Sequence, residues 1–280
     1  MKLIRNLGRG SFIAALTLAP LAVAQQTPSM PEVHQLMREV DEHQKALEKV
    51  RENYTFSTEQ TAQELDGKGQ VKKTEIKEEE IFFVHGQQIN RLVKKDGKPL
   101  SDHEQEKETE RVTKEVEKAE KQVQKKQDDE LSLSHIVNLV EVSNPRRASY
   151  RGRPTLVFDF SGRKDAKSHG IAEDAFKKLH GTIWIDETDR QIAHCDAIFD
   201  DNFHIGGGLL ANIEKGTNFH FDQAPVNGGL WLPTGAEGSY QIKLFLLKGV
   251  RGRFRERDFD YKRFSVDAEP SKEAAVALKK

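Results

Sequence analysis

The sequence predicts an α+β fold, one large and strongly curved antiparallel sheet with helices against its apolar face. Three observations predict it. Two stretches, near 31–50 and 101–126, carry apolar residues at helical spacing behind capping signals. Most of the remaining chain alternates apolar with polar residues between turns rich in Gly, Asn and Asp. Each strand so read has a single apolar face, the pattern of an antiparallel sheet with one side packed and the other wet. Such layering needs no second domain.

The 280 residues begin with a basic start (Lys2, Arg5, Arg9) and a short apolar run, Ser11–Val23, followed by Ala22-Val23-Ala24 before Gln25. This is the pattern of a cleaved signal peptide over 1–24, the apolar run falling short of the roughly 20 residues that a membrane span needs. The expectation is an exported, periplasmic, soluble protein. No cysteine lies near the cleavage point, so lipid anchoring is not expected. Net charge is -1 for the whole chain and -4 once the leader's three basic residues are removed. Nucleic acid and anionic membranes are poor partners for such a chain. A lone cysteine, Cys195, excludes an intrachain disulfide, so a packed core must supply stability.

The elements follow in order. Ser29-Met30-Pro31-Glu32 reads as a capping box, and Val33, Leu36, Met37, Val40, Leu47 and Val50 as the apolar stripe of a first helix. From Asn53 the period becomes two, with strands through Tyr54–Gln60, Val71–Val84 and Ile89–Val93 separated by Asp-Gly and His-Gly turns. Ser101–Glu104 is a second capping box. It opens a charged helical insertion at about 101–127, with Val112, Val116, Ala119 and Val123 as a thin docking seam. "ELSLSHIVNLVEV" is read as a helix buried against the sheet, though its composition also fits a strand. "TLVFDFSGR" is a strand, Ile171–Leu179 a short helix or loop, and Gly181–Phe264 nearly all strand; 267–280 reads as a disordered tail.

Alternation puts His194 and Asp196 on one face and Cys195 on the other, so a Cys-His nucleophile on adjacent residues diverges, and Cys195 reads as a small buried filler. The histidines show no HExxH or comparable zinc spacing. Asn202–His204 and Asn218–His220 repeat an Asn-Phe-His pattern, which makes a metal-dependent hydrolase of His194, His204 and His220 the enzyme alternative. Strand alternation does not require those three to face a common point. "HIGGGLLANIEKG" lacks the following helix of a phosphate loop, and no Gly-x-Ser-x-Gly elbow occurs. The expectation is a protein that is not an enzyme, with no cofactor and no metal site.

"GTIWID" (181–186), "GGLWLP" (228–233) and the closing "FDYKRF" (259–264), behind a leader and a helix-then-meander start, resemble the LolA/LolB-like superfamily of periplasmic outer-membrane lipoprotein-sorting proteins. The resemblance covers Pro31 to about Phe264, within one domain at 25–266. The charged helix and the overall length depart from the compact carriers. It implies an unclosed half-barrel whose concave apolar side is covered by helices and holds a hydrophobic cavity. The implied partner is a lipid or lipoprotein acyl chain, with envelope or outer-membrane proteins as further partners. A protein-binding or sensory module without cargo is the alternative, favoured by the charged helix. The family's cavity arginine is not placed by motif, Arg91 and Arg190 being candidates by strand position alone. For the cavity wall the expected residues are Phe158, Ile183, Ile185, Phe219, Leu232 and Leu244. Trp184 and Trp231 fall on the opposite parity from their apolar neighbours.

Overall fold

The structure is a computed structural model and describes residues 30–121, 133–208, 210–226, 228–244 and 249–263. The leader at 1–24, Ser29, Val123 and the tail at 267–280 lie outside the described residues. Helix α1 (Val33–Arg51) leads into strands β1 (Tyr54–Leu65), β2 (Val71–Val84), β3 (Gln87–Lys95) and β4 (Lys98–Pro99). Helix α2 (Asp102–Lys121) and the single turn α3 (Leu133–Ile136) precede β5 (Val140–Tyr150) and β6 (Arg153–Gly162). Helix α4 (Ile171–Phe176) is followed by β7 (Leu179–Asp186), β8 (Ile192–Phe199), β9 (Phe203–Ile205) and β10 (Ala211–Ile213). Strands β11 (Asn218–Val226), β12 (Leu230–Leu244) and β13 (Val250–Arg263) complete the order.

Among the described residues these thirteen strands form one antiparallel sheet, ordered β4-β3-β2-β1-β13-β12-β11-β8-β7-β6-β5, with β9 and β10 attached beside β12. The sheet does not close, since β4 and β5 are its two edges. No helix of the described residues is long and apolar enough to cross a membrane.

Register and side-chain contacts define two faces. Leu47 of α1 packs with Trp231 and Ala193, and the Gln44 side chain donates to Gln191 (2.8 Å). On this α1 face, Phe56 stacks on Tyr261 at 4.8 Å between ring centroids, and Ile81 lies opposite Phe56 in register. Helix α2 takes the other face. Its Val112 and Ala119 are buried with Ile89, and Phe82, the neighbour of Ile81 that points the opposite way, packs there too. The charged insertion therefore covers β2 and β3 from outside, on the side away from α1.

The helix starts differ in how they are capped. At α2 one half of the expected box forms: Ser101 N–H donates to Glu104 Oε2 (2.9 Å), and the Ser101 hydroxyl donates to the same oxygen (2.6 Å). At α1 the cap is Glu32 itself, whose carboxylate accepts the N–H groups of His34 (2.8 Å) and Gln35 (2.7 Å). Among its described residues, the segment expected as a buried helix divides into one helical turn, a non-helical turn at 137–139 and the first residues of β5. Only Leu133–Ile136 makes a helical turn, after which β5 starts at Val140 and pairs Val140 with Gly162 of β6. Its β-branched residues find a ready edge there, and tertiary pairing decides what local composition left open.

One buried acid is poorly satisfied. Asp258 lies on the α1 face opposite Thr58 in register, and its Oδ1 has no hydrogen-bond partner. Burial, reinforced by the Glu256 carboxylate, pushes its carboxyl up to about 6. A folded pKa above the unfolded value means stability present below about pH 4 is lost as pH rises through 6. Asp258→Asn is therefore expected to stabilise the protein by about 2 kcal/mol at pH 7.5 and by nearly nothing at about pH 3.5. Urea midpoints of both proteins at the two pH values measure this. An equal difference at both would show that Asp258 is not the titrating group.

Candidate functional site

The α1 face is apolar along the strands β6, β7, β8 and β11. Phe158 lies opposite Ile183, Ile183 opposite Cys195, and Cys195 opposite Phe221. The next row toward α4 carries Phe160, Gly181, Ala197 and Phe219. Gly181 is required there, because a Cβ would stand 1.9 Å from the Asp196 carbonyl oxygen and 2.7 Å from the Phe160 ring. On the other side of Phe158, Leu156 pairs with Ile185, and Leu156, Phe158 and Ile185 are all fully buried. Ile183, Phe219 and Phe221 are only partly buried. Apolar surface thus runs on, without a charged side chain, from a closed core into an accessible strip. Cys195 sits in this strip, and burial pushes its thiol up to about 12, so it stays protonated and is no nucleophile at neutral pH.

Four of the six expected wall residues, Phe158, Ile183, Ile185 and Phe219, share this face. Leu232 does not. The pairs Asp222–Gly235 and Gln223–Pro233 leave Thr234 as an extra residue in β12, and this bulge reverses the alternation. Trp231 consequently turns toward α1, buried with Leu47, while Leu232 shares the side of Asp222. Leu244 keeps the parity of the strip but lies at the far end of β12 and is 42% exposed. Of the two arginines, Arg91 pairs with Glu80 on the α2 face. Arg190 contacts Glu39 of α1 at 3.3 Å from the turn before β8.

That turn is a second organised feature. The buried Asp186 carboxylate accepts Arg153 Nε (2.6 Å) and Nη2 (3.0 Å) and the N–H groups of Thr188 (3.0 Å) and Asp189 (2.8 Å). Desolvation alone would raise its pKa, but the Arg153 bonds and the backbone donors outweigh burial and hold it below the usual carboxylate range. Asp189 in turn accepts Arg153 Nη2 (2.6 Å) and Trp231 Nε1 (2.9 Å), and its carbonyl faces His43 Nδ1 of α1 at 2.9 Å. The turn holds α1 onto the sheet.

The opposite, polar face carries a compact quartet. His194 and Asp196 alternate along β8, His220 and Asp222 along β11, and antiparallel register sets His194 against Asp222 and Asp196 against His220. Each histidine therefore faces the other strand's acid. His194 Nδ1 lies 2.8 Å from Asp222 Oδ1 and its Nε2 lies 2.8 Å from Asp196 Oδ1; His220 Nδ1 contacts the same Asp196 oxygen. Tyr150 donates to Asp222 Oδ1 (2.5 Å) and stacks on His194 at 4.9 Å, and Trp184 meets the imidazole edge-on at 4.8 Å. Burial, and hydrogen bonding to the Asp222 carboxylate, push the Tyr150 phenol up to about 12. Arg151 closes the group at 3.1 Å from Asp222 Oδ2. A groove of about 600 Å³ beside His220 is bordered by Thr61, Asn218, Glu237, Arg253 and Arg255. His204 is not part of this quartet, being exposed on β9 opposite Asn212 of β10. Reading for spaced histidines missed Tyr150 and Asp222, and the signal that could have found the group is the repeated His-x-Asp of "HCD" and "HFD".

A LolA superfamily protein of Nitrosomonas europaea shares 7% identity at a TM-score of 0.32, covering 85% of this chain and 96% of its own. A domain of Vibrio parahaemolyticus described as an outer-membrane lipoprotein-sorting protein shares 9% at 0.35, covering 87% and 100%. A DUF1329 family protein of Desulfovibrio piger shares 10% at 0.32, covering 86% and 98%. No family model matches the chain, and no curated protein matches it.

Proposed function

We propose that the protein is a non-enzymatic binder or carrier of a hydrophobic ligand in the bacterial envelope, a lipid or a lipoprotein acyl chain, received on the α1 face. The observation that supports this most is the charge-free strip of partly buried Ile183, Phe219 and Phe221, which continues from fully buried Phe158. An acyl chain laid there gains roughly 0.8 kcal/mol per buried CH₂, so a dozen carbons hold without a charged anchor. The basic start, apolar run and Ala-x-Ala of residues 1–24 support export to the periplasm.

Two substitutions test the ligand strip. Ile183→Asp and Phe221→Asp place a carboxylate in its middle and are expected to lower uptake of a fluorescent acyl probe more than tenfold, while Arg255→Ala on the opposite face leaves uptake unchanged. Native mass spectrometry of protein from the envelope should find copurified lipid. Wild-type protein that arrives empty and takes up no probe would sink the reading.

A further inference from the structure

We propose that His194, Asp196 and His220 form a binding site for a divalent transition-metal ion such as Zn²⁺, on the polar face and separate from the acyl strip. Among the described residues, the ligand atoms of these three lie within 4.8 Å of one another. They come from two neighbouring strands of a hydrogen-bonded sheet, so backbone register fixes their relative position.

The hydrogen-bond geometry calls for positive charge between the acids, which a second ring proton or a bound cation supplies. A neutral imidazole has one donor nitrogen and one acceptor nitrogen, and ionised carboxylates only accept. Tyr150 already gives its proton to Asp222 Oδ1, so His194 Nδ1, 2.8 Å from that oxygen, approaches it as an N–H donor. In a neutral ring the lone pair of His194 Nε2 would then face Asp196 Oδ1 at 2.8 Å, acceptor against acceptor, whereas a doubly protonated ring donates to both carboxylates. His220 Nδ1 converges on the same oxygen. A metal ion between the three is held by the same nitrogen and oxygen lone pairs and takes the place of that proton.

The surroundings fit the same reading. A metal-ligating histidine almost always donates its other N–H to a carboxylate or carbonyl, which fixes its tautomer and ring orientation. Asp222 occupies that place for His194, and Tyr150 and Trp184 hold the ring by stacking and edge contact. His194 is the shielded member, 13% exposed, whereas Asp196 and His220 are 37% and 41% exposed, so the ion can enter from the groove side. Two nitrogens and one carboxylate oxygen suit Zn²⁺ at about 2.0–2.2 Å, with a fourth position left for water. Ligand atoms around such an ion stand about 3.4 Å apart, so the present contacts open by about an ångström or less to admit it.

The experiment uses the full exported chain, purified without chelator and without an oligohistidine tag, titrated with ZnCl₂ in a calorimeter at pH 8. One ion per chain is expected. His194→Ala and His220→Ala should each weaken binding more than about tenfold, and Asp222→Asn, which removes only the orienting carboxylate charge, by about 10–100-fold. His204→Ala should bind like the wild type. Absence of saturable zinc binding by the wild type overturns the proposal even if a variant fails to fold. So does full binding by folded His194→Ala and His220→Ala proteins, since the ion then sits elsewhere. Acyl uptake plays no part in these outcomes, so this proposal and the one for the apolar strip fail independently.

Discussion

Replacing Phe158 by alanine should lower stability by about 3–5 kcal/mol, because a fully buried aromatic ring on β6, held between β5 and β7, leaves a cavity that the neighbouring strands cannot collapse into. Its neighbours are fixed by register: Ile183 directly opposite, and Leu156 two residues along the same strand and itself fully buried. Urea denaturation should show the midpoint fall with little change in slope. A loss under about 1 kcal/mol would mean that the strands do repack around the gap. The same variant separates core from ligand strip, since Phe158 lies beneath the closed part of the apolar face while Phe221 lies in the accessible part.

Asp186→Ala is expected to cost about 3 kcal/mol, the range for removing one partner of a buried ion pair, moderated here because Arg153 retains Asp189. Two backbone N–H groups lose their acceptor at the same time, and the turn that carries Asp189 and Arg190 to α1 loosens. The pH dependence runs opposite to that of Asp258. A carboxylate held below its unfolded pKa gives stability that is present above about pH 4 and lost as pH falls through the folded value. Wild type and variant should therefore converge in strongly acid solution. A constant gap from pH 7 to the lowest pH at which both fold would remove the ion pair from the explanation.

Much of this was legible in the residues, and what was not had a physical cause. Period-two alternation and turn residues are local, so β1, β2, β3, β6 and the apolar row of Phe158, Ile183 and Ile185 could be read directly. The capping box at Ser101 is equally local. Leu232 was misplaced because a bulge at Thr234 is a property of two strands, and neither strand alone announces it. The segment before β5 carried a composition compatible with helix and strand, and only pairing with β6 decided it. The His-Asp quartet shows the same limit from the other side. His194, Asp196 and His220 stood out in the sequence and Asp222 did not, because their meeting depends on the offset between β8 and β11, which sets His194 against Asp222.

The position of β13 has a kinetic meaning. Among the described residues it is the last strand in the chain, yet it lies between β1 and β12, so Tyr54 of β1 pairs with Arg263 of β13. Strands β1 to β4 reach the remainder of the sheet only through β13. An emerging chain can build the meander from β1 to β4 and the run from β5 to β12 as separate pieces. It cannot join them until the final strand is free. Contacts of such long sequence separation make folding slow, and they leave the facing edges of β1 and β12 open in the meantime. This order of assembly delays the finished sheet until the residues of β13 are available for pairing.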